Sequence, residues 1–405
     1  VTANPTVAVL FGGRSVEHEV SVISGHQAMD ALDQAGFPIL PIFITKQGDW
    51  YAGQALRNLN LYREQTFHAA GLKNVYRVSL SPDRSVRQLV AHPGASGGLL
   101  AKSPKLWADV FFPVIHGSHG EDGSLQGLFE LADLPYVGSG VLASAVAMDK
   151  VRTKRILEQA GIPTLDCLEV SRADWAAGAD SFTARVEAKY RYPVMVKPVC
   201  LGSSIGVSRC ADRAALGEAL ELALELDGRA LVEEALTDFI EINCSVLGPP
   251  DRASACEQPM GNEALLSFDD KYKRGGKKLG GAKLGRGQAQ SAHLAGSAGM
   301  AGLARQVPAP IGEALTKQIQ DQAVAAFRAI DASGVARIDF LYQQKNRRLF
   351  LNEINTLPGS LSYYLWEEQG VRFDQLVTVL VEIALARHEE RRVTTYSFSA
   401  NLLTR

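Results

Sequence analysis

Glu353 and Asn355 stand two apart in an apolar run, so on one strand they point to the same face. Asp339, in Ala336-Arg-Ile-Asp339, falls on a strand that precedes it across the short polar segment Gln343-Gln-Lys-Asn346. Two carboxylates and an amide oxygen converging on one face suit Mg²⁺, which takes a few protein oxygens and leaves the rest to water and phosphate. The competing reading is a solvated polar face on which Arg337 pairs with Asp339. Ile338, Phe340, Leu349, Phe350, Leu351 and Ile354 surround these acids, and buried carboxylates without partners are costly. On the residues alone the metal site is the better of the two.

Three further groups could carry charge to a ligand. Val196-Lys-Pro198 precedes Gly202-Ser-Ser-Ile-Gly206, a small-residue loop whose backbone N–H groups can nest around phosphate oxygens with Lys197 nearby. It reads equally as a plain hairpin turn. Glu17, His18 and Glu19 follow the turn Gly12-Gly13, where first-turn acids are most often helix-dipole partners or caps; meeting a ligand ammonium is the alternative. Asp270-Lys271-Tyr272-Lys273 opens a Gly-rich basic stretch, read either as a solvated loop or as a lid bringing charge and a hydroxyl over bound phosphate. The order G-x-x-x-x-G-K-[ST] is absent, and Gly12-Gly13 does not extend to G-x-G-x-x-G, so P-loop and dinucleotide-binding readings fail.

The elements that position these groups follow from periodicity. A buried strand over 6–11, the glycine turn, a helix over 16–35 and a strand over 37–45 open an α/β sheet. A further strand over 109–115, the loop His116-Gly-Ser-His-Gly-Glu-Asp-Gly123 and a helix over 125–132 repeat the order, which predicts a parallel sheet with its ligand site at the strands' C-terminal ends. Residues 53–105 carry no clear pattern. Helices fit 143–148, 151–160, 214–226, 312–332 and 373–387. Strands at 192–198 and 207–210 flank the Gly202 loop as a hairpin, 230–234 is another strand, and 336–342 with 348–355 form a second hairpin. We expect an α/β (α+β) chain of three units: 1–138, 139–233, and 234–405 with a mobile lid at 268–302.

Four hundred and five residues exceed one ordinary domain. With 46% hydrophobic and 21% charged residues the composition is globular, and a net charge of -2 gives no nucleic-acid surface. No apolar run is long enough to span a bilayer and residues 1–5 lack signal-peptide features, which predicts a cytoplasmic protein without membrane attachment. Five cysteines with no C-x-x-C pair read as reduced thiols rather than disulfides or a zinc site.

Taken in order, the motifs resemble the D-alanine–D-alanine ligase family. They are Leu10-Phe-Gly-Gly-Arg-Ser-Val-Glu-His-Glu-Val-Ser21, His116-Gly-Ser-His-Gly-Glu-Asp-Gly-Ser-Leu-Gln-Gly127, Met148-Asp-Lys150, Val196-Lys-Pro198 with Gly202-Ser-Ser204, Asp270-Lys-Tyr272, Ala336-Arg-Ile-Asp339 and Asn352-Glu-Ile-Asn-Thr-Leu-Pro-Gly359. The resemblance implies an ATP-grasp fold with ATP between the second and third units. It implies further that Lys150, Lys197 and Lys271 meet the phosphates, that Glu233, Glu234 and Leu236 form the adenine-side hinge, and that Glu241 binds ribose. Asp339, Glu353 and Asn355 resemble the ligands of Mg²⁺, or of Mn²⁺ in its place. Glu17 resembles the acid that binds the first substrate's ammonium, with Ser203 and Tyr272 its hydrogen-bonding partners. Arg337 and the Gly359 amide resemble oxyanion stabilisers, and His116 lies beside the substrates.

The implied activity joins two D-alanines through an acyl phosphate for peptidoglycan precursors, in a homodimer of the cytoplasm. The chain departs from the better-known members at the acceptor end, where Tyr364 and Leu365 stand in place of Ser and Leu. That leaves D-Ser or another small amino acid as an alternative acceptor. A non-catalytic nucleotide-binding protein is the rival from another class. Arg337, Asp339, Glu353 and Asn355, all present, weigh against it.

Overall fold

The computed structural model describes residues 4–63, 67–86, 89–92, 106–260 and 305–397. The expected lid at 268–302, with Lys271 and Tyr272, lies outside them.

Three sheets organise the described residues. The first holds β1 (Val7–Gly12), β2 (Ile39–Ile44), β3 (Trp50–Ala52), β4 (Tyr76–Leu80), β5 (Leu89–Ala91) and β6 (Val110–Val114), in the order β5-β4-β3-β2-β1-β6. Only β2, β1 and β6 are parallel; β3, β4 and β5 extend the sheet antiparallel, so the expectation of a parallel sheet holds for its centre alone. The reversal arises at a tight turn where Gly48 takes φ +92 and the Thr45 N–H bonds to the Asp49 carbonyl. That turn replaces the helical crossover a parallel neighbour would need. Every residue of β1, β2 and β6 is buried, as a strand covered on both faces must be.

The helix α1 (His18–Gln34) covers one face of this sheet, with Val22, Ala28, Met29 and Leu32 inward. The helix α2 (Ser124–Leu131) covers the other, where Phe129 stacks between Phe111 and Tyr136. Two short helices, α3 (Val141–Met148) and α4 (Lys150–Gln159), lead onward, and the Asp149 side chain caps α4 by accepting the Arg152 N–H.

The second sheet, β7 (Cys167–Ser171), β8 (Val194–Pro198), β9 (Ser208–Cys210) and β10 (Arg229–Glu234), runs β7-β10-β8-β9 and is antiparallel. Its apolar face packs on α5 (Arg172–Lys189) and α6 (Arg213–Leu226). The third sheet holds β11 (Phe239–Gly248), β12 (Arg252–Pro259), β13 (Arg305–Gln306), β14 (Gly334–Gln343) and β15 (Arg348–Asn355), ordered β13-β12-β11-β14-β15. Its apolar face rests on α7 (Glu313–Ala329), through Ile319, Ala323, Ala326 and Phe327. After β15 come α8 (Tyr363–Glu367) and α9 (Phe373–Arg392). Leu376, Val377, Leu380 and Val381 of α9 return to the first sheet and share the core of α1. β7, α5, β11 and β12 were not legible beforehand.

Candidate active site

The predicted hairpin forms, and its register places the acids. Asp339 pairs with Glu353 and Arg337 with Asn355 across β14 and β15. The row continues through β11, where Asn243 faces Asp339, and into β12, where Glu257 faces Asn243. Glu257, Asn243, Asp339 and Glu353 therefore form one lateral row on a single face, because side chains alternate strictly along each strand.

The Arg337–Asp339 pair is present, but its face is not solvated: Asp339 is 2% exposed. Arg337 donates from Nε to Asp339 Oδ1 and from Nη2 to Oδ2, both at 2.7 Å, and Asn355 Nδ2 lies 3.0 Å from Oδ2. Burial works against the Arg337 charge, but Asp339 outweighs it and keeps the guanidinium charged. Burial pushes the Asp339 carboxyl up to about 7 against the pull of Arg337, with Glu353 and Glu241 adding repulsion.

Glu17 ends the turn before α1 and reaches the loop between β8 and β9, where Ser203 Oγ donates to it. Ser203 and Ser204 hold φ +52 and +56, left-handed values that non-glycine residues adopt only when the surroundings enforce them. Two backbones close on the Glu17 carboxylate. A Cβ on Gly117 would lie 2.7 Å from its Oε2 and one on Gly202 3.2 Å, so these glycines allow an approach no side chain would. Burial raises the Glu17 carboxyl above its usual range, while Ser203 opposes the rise.

Lys197 on β8 pairs with Glu233 at 2.6 Å and donates to Asn352 Oδ1 at 3.1 Å. Lys154 of α4 pairs with the other Glu233 oxygen at 2.8 Å. Burial favours the neutral Glu233 acid, yet the two lysines outweigh it and hold the carboxyl down at about 2. Lys150 donates to the Leu201 carbonyl at 2.5 Å.

His116 is buried below the Gly-rich loop. Its backbone N–H donates to Ser21 Oγ at 2.8 Å, and its ring Nε2 lies 3.1 Å from Ser24 Oγ. Burial pushes the imidazole down to about 4, so it is neutral at physiological pH. Glu121 accepts the Gly117 N–H at 2.6 Å and a further bond from the Leu357 backbone. Burial, with Glu17 adding repulsion, pushes its carboxyl up to about 8. Past Gly359, Ser360, Leu361 and Ser362 all hold φ near +50 in a buried left-handed turn, and Ser24 Oγ accepts the Ser360 N–H at 3.2 Å. Each such residue costs about 1–2 kcal/mol, a strain a fold retains at functional sites.

These groups line one cavity of about 680 Å³, a size typical of small-molecule sites. Of the anticipated residues it brings together Glu17, His116, Lys150, Lys197, Ser203, Glu241, Arg337, Asp339, Glu353, Asn355 and Gly359. Glu233, Glu234, Leu236, Tyr364 and Leu365 do not line it. Glu233 sits behind the wall with the lysines, Glu234 is exposed, and Leu236 packs with Leu165, Leu341 and Phe350. Tyr364 and Leu365 are buried on α8. Glu121, Asn243, Glu257 and Arg305 line the cavity and were not singled out from the sequence. For Asn243 the available signal was its alternation with Glu241 between Ile240, Ile242 and Cys244.

Among the solved structures that share this architecture are two ligases. One is the VanG D-Ala:D-Ser ligase from Enterococcus faecalis, 29% identical, TM-score 0.74, covering 94% of this chain and 99% of that one. The other is the D-alanine-D-alanine ligase from Coxiella burnetii, 28% identical, TM-score 0.75, covering 96% and 97%. The fold is that of an ATP-grasp ligase. The family model described as D-ala D-ala ligase N-terminus matches residues 6–139, and the one described as D-ala D-ala ligase C-terminus matches 156–292 and 299–382. The chain belongs to the D-alanine–D-alanine ligase family. Relatives named D-alanine--D-alanine ligase include those of Natranaerobius thermophilus, 36% identical over 97% of this chain and 98% of the relative, and Heliobacterium modesticaldum, 37% identical over 96% of each.

Proposed function

We propose that this protein is an ATP-dependent D-alanine–D-alanine ligase supplying the dipeptide for peptidoglycan precursors. The observation that carries this is one cavity lined by Glu17, by Arg337, Asp339 and Glu353, and by Lys150 and Lys197.

Glu17, fixed by Ser203 and clasped between two glycine backbones, takes the ammonium of the first D-alanine. That substrate's carboxylate attacks the γ-phosphorus of ATP; ADP departs and an acyl phosphate forms. Lys150 and Lys197 bring positive charge to the phosphates along the cavity wall. The neutral amine of the second D-alanine then attacks the acyl carbon. Arg337 and the Gly359 N–H stabilise the tetrahedral oxyanion, where preorganised donors contribute most. Inorganic phosphate leaves, the amine gives up its proton, and the dipeptide remains.

Among the described residues no group of three or more His, Cys, Asp or Glu forms a metal cage. Two carboxylates and one amide, Asp339, Glu353 and Asn355, still fit Mg²⁺ or Mn²⁺. Burial lifts Asp339 and repulsion from Glu353 and Glu241 adds to it, and a divalent cation would relieve that repulsion. Bound there, the ion would neutralise charge on the transferring phosphoryl group. Adenine belongs in this proposal by the link from β10 to β11, near Glu233, Glu234 and Leu236, with ribose at Glu241. The roles of Lys271 and Tyr272 rest on resemblance alone, as do a homodimer and a cytoplasmic setting. No described helix is long and apolar enough to cross a membrane.

The test is the product. With ATP, Mg²⁺ and D-alanine, the expected species has the mass of D-alanyl-D-alanine, with one phosphate released per dipeptide. D-Ser, L-Ala and Gly are run in parallel. No dipeptide from D-alanine alone rejects the proposal.

A further inference from the structure

Asn243, Glu257 and Arg305, which line the cavity, form a network with Tyr364, which stands outside its lining. Glu257 is 3% exposed, and both its oxygens are engaged. Oε1 receives Asn243 Nδ2 at 3.1 Å and the Tyr364 hydroxyl at 3.3 Å, and Oε2 receives Arg305 Nη1 at 3.0 Å. The Arg305 guanidinium carbon lies 3.7 Å from the centre of the Tyr364 ring, in a cation–π stack. The position of Arg305 is set by strand pairing: it faces Pro259, two residues along β12 from Glu257.

In the ligase proposed above the second substrate lies towards Tyr364, and its carboxylate needs a cation and N–H donors there. Tyr364 cannot supply them. Its one proton goes to Glu257, and a phenol has no other to give. Glu257 offers acceptor oxygens rather than donors, and both are engaged. Arg337 has Nε and Nη2 committed to Asp339, beside the reacting centre. Arg305 lines the same cavity, carries a permanent charge, and has the planar fork that matches a carboxylate. Glu257 holds this guanidinium through one bond to Nη1, where Asp339 holds Arg337 through two.

We infer that Arg305 recognises the carboxylate of the acceptor amino acid, with Glu257 and Tyr364 as the positioning residues that hold its fork in place. Tyr364 thus serves as the plane on which the recognising group lies. This inference rests on the ligase proposed above.

The experiment sets D-alanine as donor against two competing acceptors, D-alanine and D-alaninamide, which lacks the carboxylate and cannot be phosphorylated. Product masses give the acceptor preference directly. The wild-type protein is expected to favour D-alanine at least a hundredfold. Arg305→Met should reduce that preference tenfold or more by raising KM for the acceptor, leaving KM for ATP unchanged. Arg305→Lys should recover part of it. A wild-type protein that uses both acceptors alike overturns the inference, since no carboxylate is then being read. So does an Arg305→Met variant whose preference stays within twofold of wild type, because a strap between strands would alter all substrates together. Absence of any dipeptide in the wild type is the separate failure of the ligase proposal itself.

Discussion

A carboxylate that is 2% exposed beside two others has to be justified by what it holds. Asp339 already has Arg337, but Glu353 adds negative charge that the fork does not cancel. We therefore expect Glu353→Gln to lower turnover at least a hundredfold, with urea unfolding unchanged to within about 1 kcal/mol, as for a partly exposed position. Turnover equal to wild type rejects its metal role. The spacing of Glu353 and Asn355 and their apolar neighbours were enough to place this pair beforehand, because strand alternation is a local property. Glu257 and Asn243 were not readable in the same way. Their part in the row depends on which strand lies beside which, and no spacing along the chain encodes that. Arg305 was harder still, for it reaches the site from a two-residue strand.

At the scale of elements, the most exacting contact is the one joining α4, β8 and β10. Glu233 is 1% exposed between Lys154 and Lys197. Glu233→Gln leaves two buried cations without their counter-ion, a change that costs about 3–5 kcal/mol. Denaturant titration should show that loss in the midpoint. An undiminished midpoint would mean that the lysines find solvent or another anion. Hairpins and helices with strong periodicity were legible here, and so was the loop carrying Ser203. The antiparallel extension β3-β4-β5 was not, since short strands of mixed polarity carry too little pattern. Nor was the Ser360–Leu361–Ser362 turn, whose left-handed backbone is imposed by burial rather than by residue type.

At the scale of the molecule, Glu121 ties the first unit to the last by accepting N–H groups from Gly117 and Leu357. Burial raises its folded pKa from about 4.5 to about 8. The native state therefore keeps a proton that the unfolded chain releases, so this contribution is complete below pH 4.5 and is lost as pH rises towards 8. Glu121→Gln, which mimics the protonated acid, should remove this slope, worth up to about 5 kcal/mol. Unfolding midpoints measured at pH 6 and pH 9 check it: wild type should fall more steeply than the variant, and equal falls would refute the assignment.

The return of α9 to the first sheet gives the chain a particular order of assembly. Residues 7–44 supply part of an oily layer, and Leu376 to Ala384 of α9 reach it more than three hundred positions later. Until that roof is in place, the helix opening just after Glu17 has an unshielded apolar flank. Nascent fragments ending before α9 would accordingly be sticky and inert, and the whole polypeptide must be present before its catalytic rim can set.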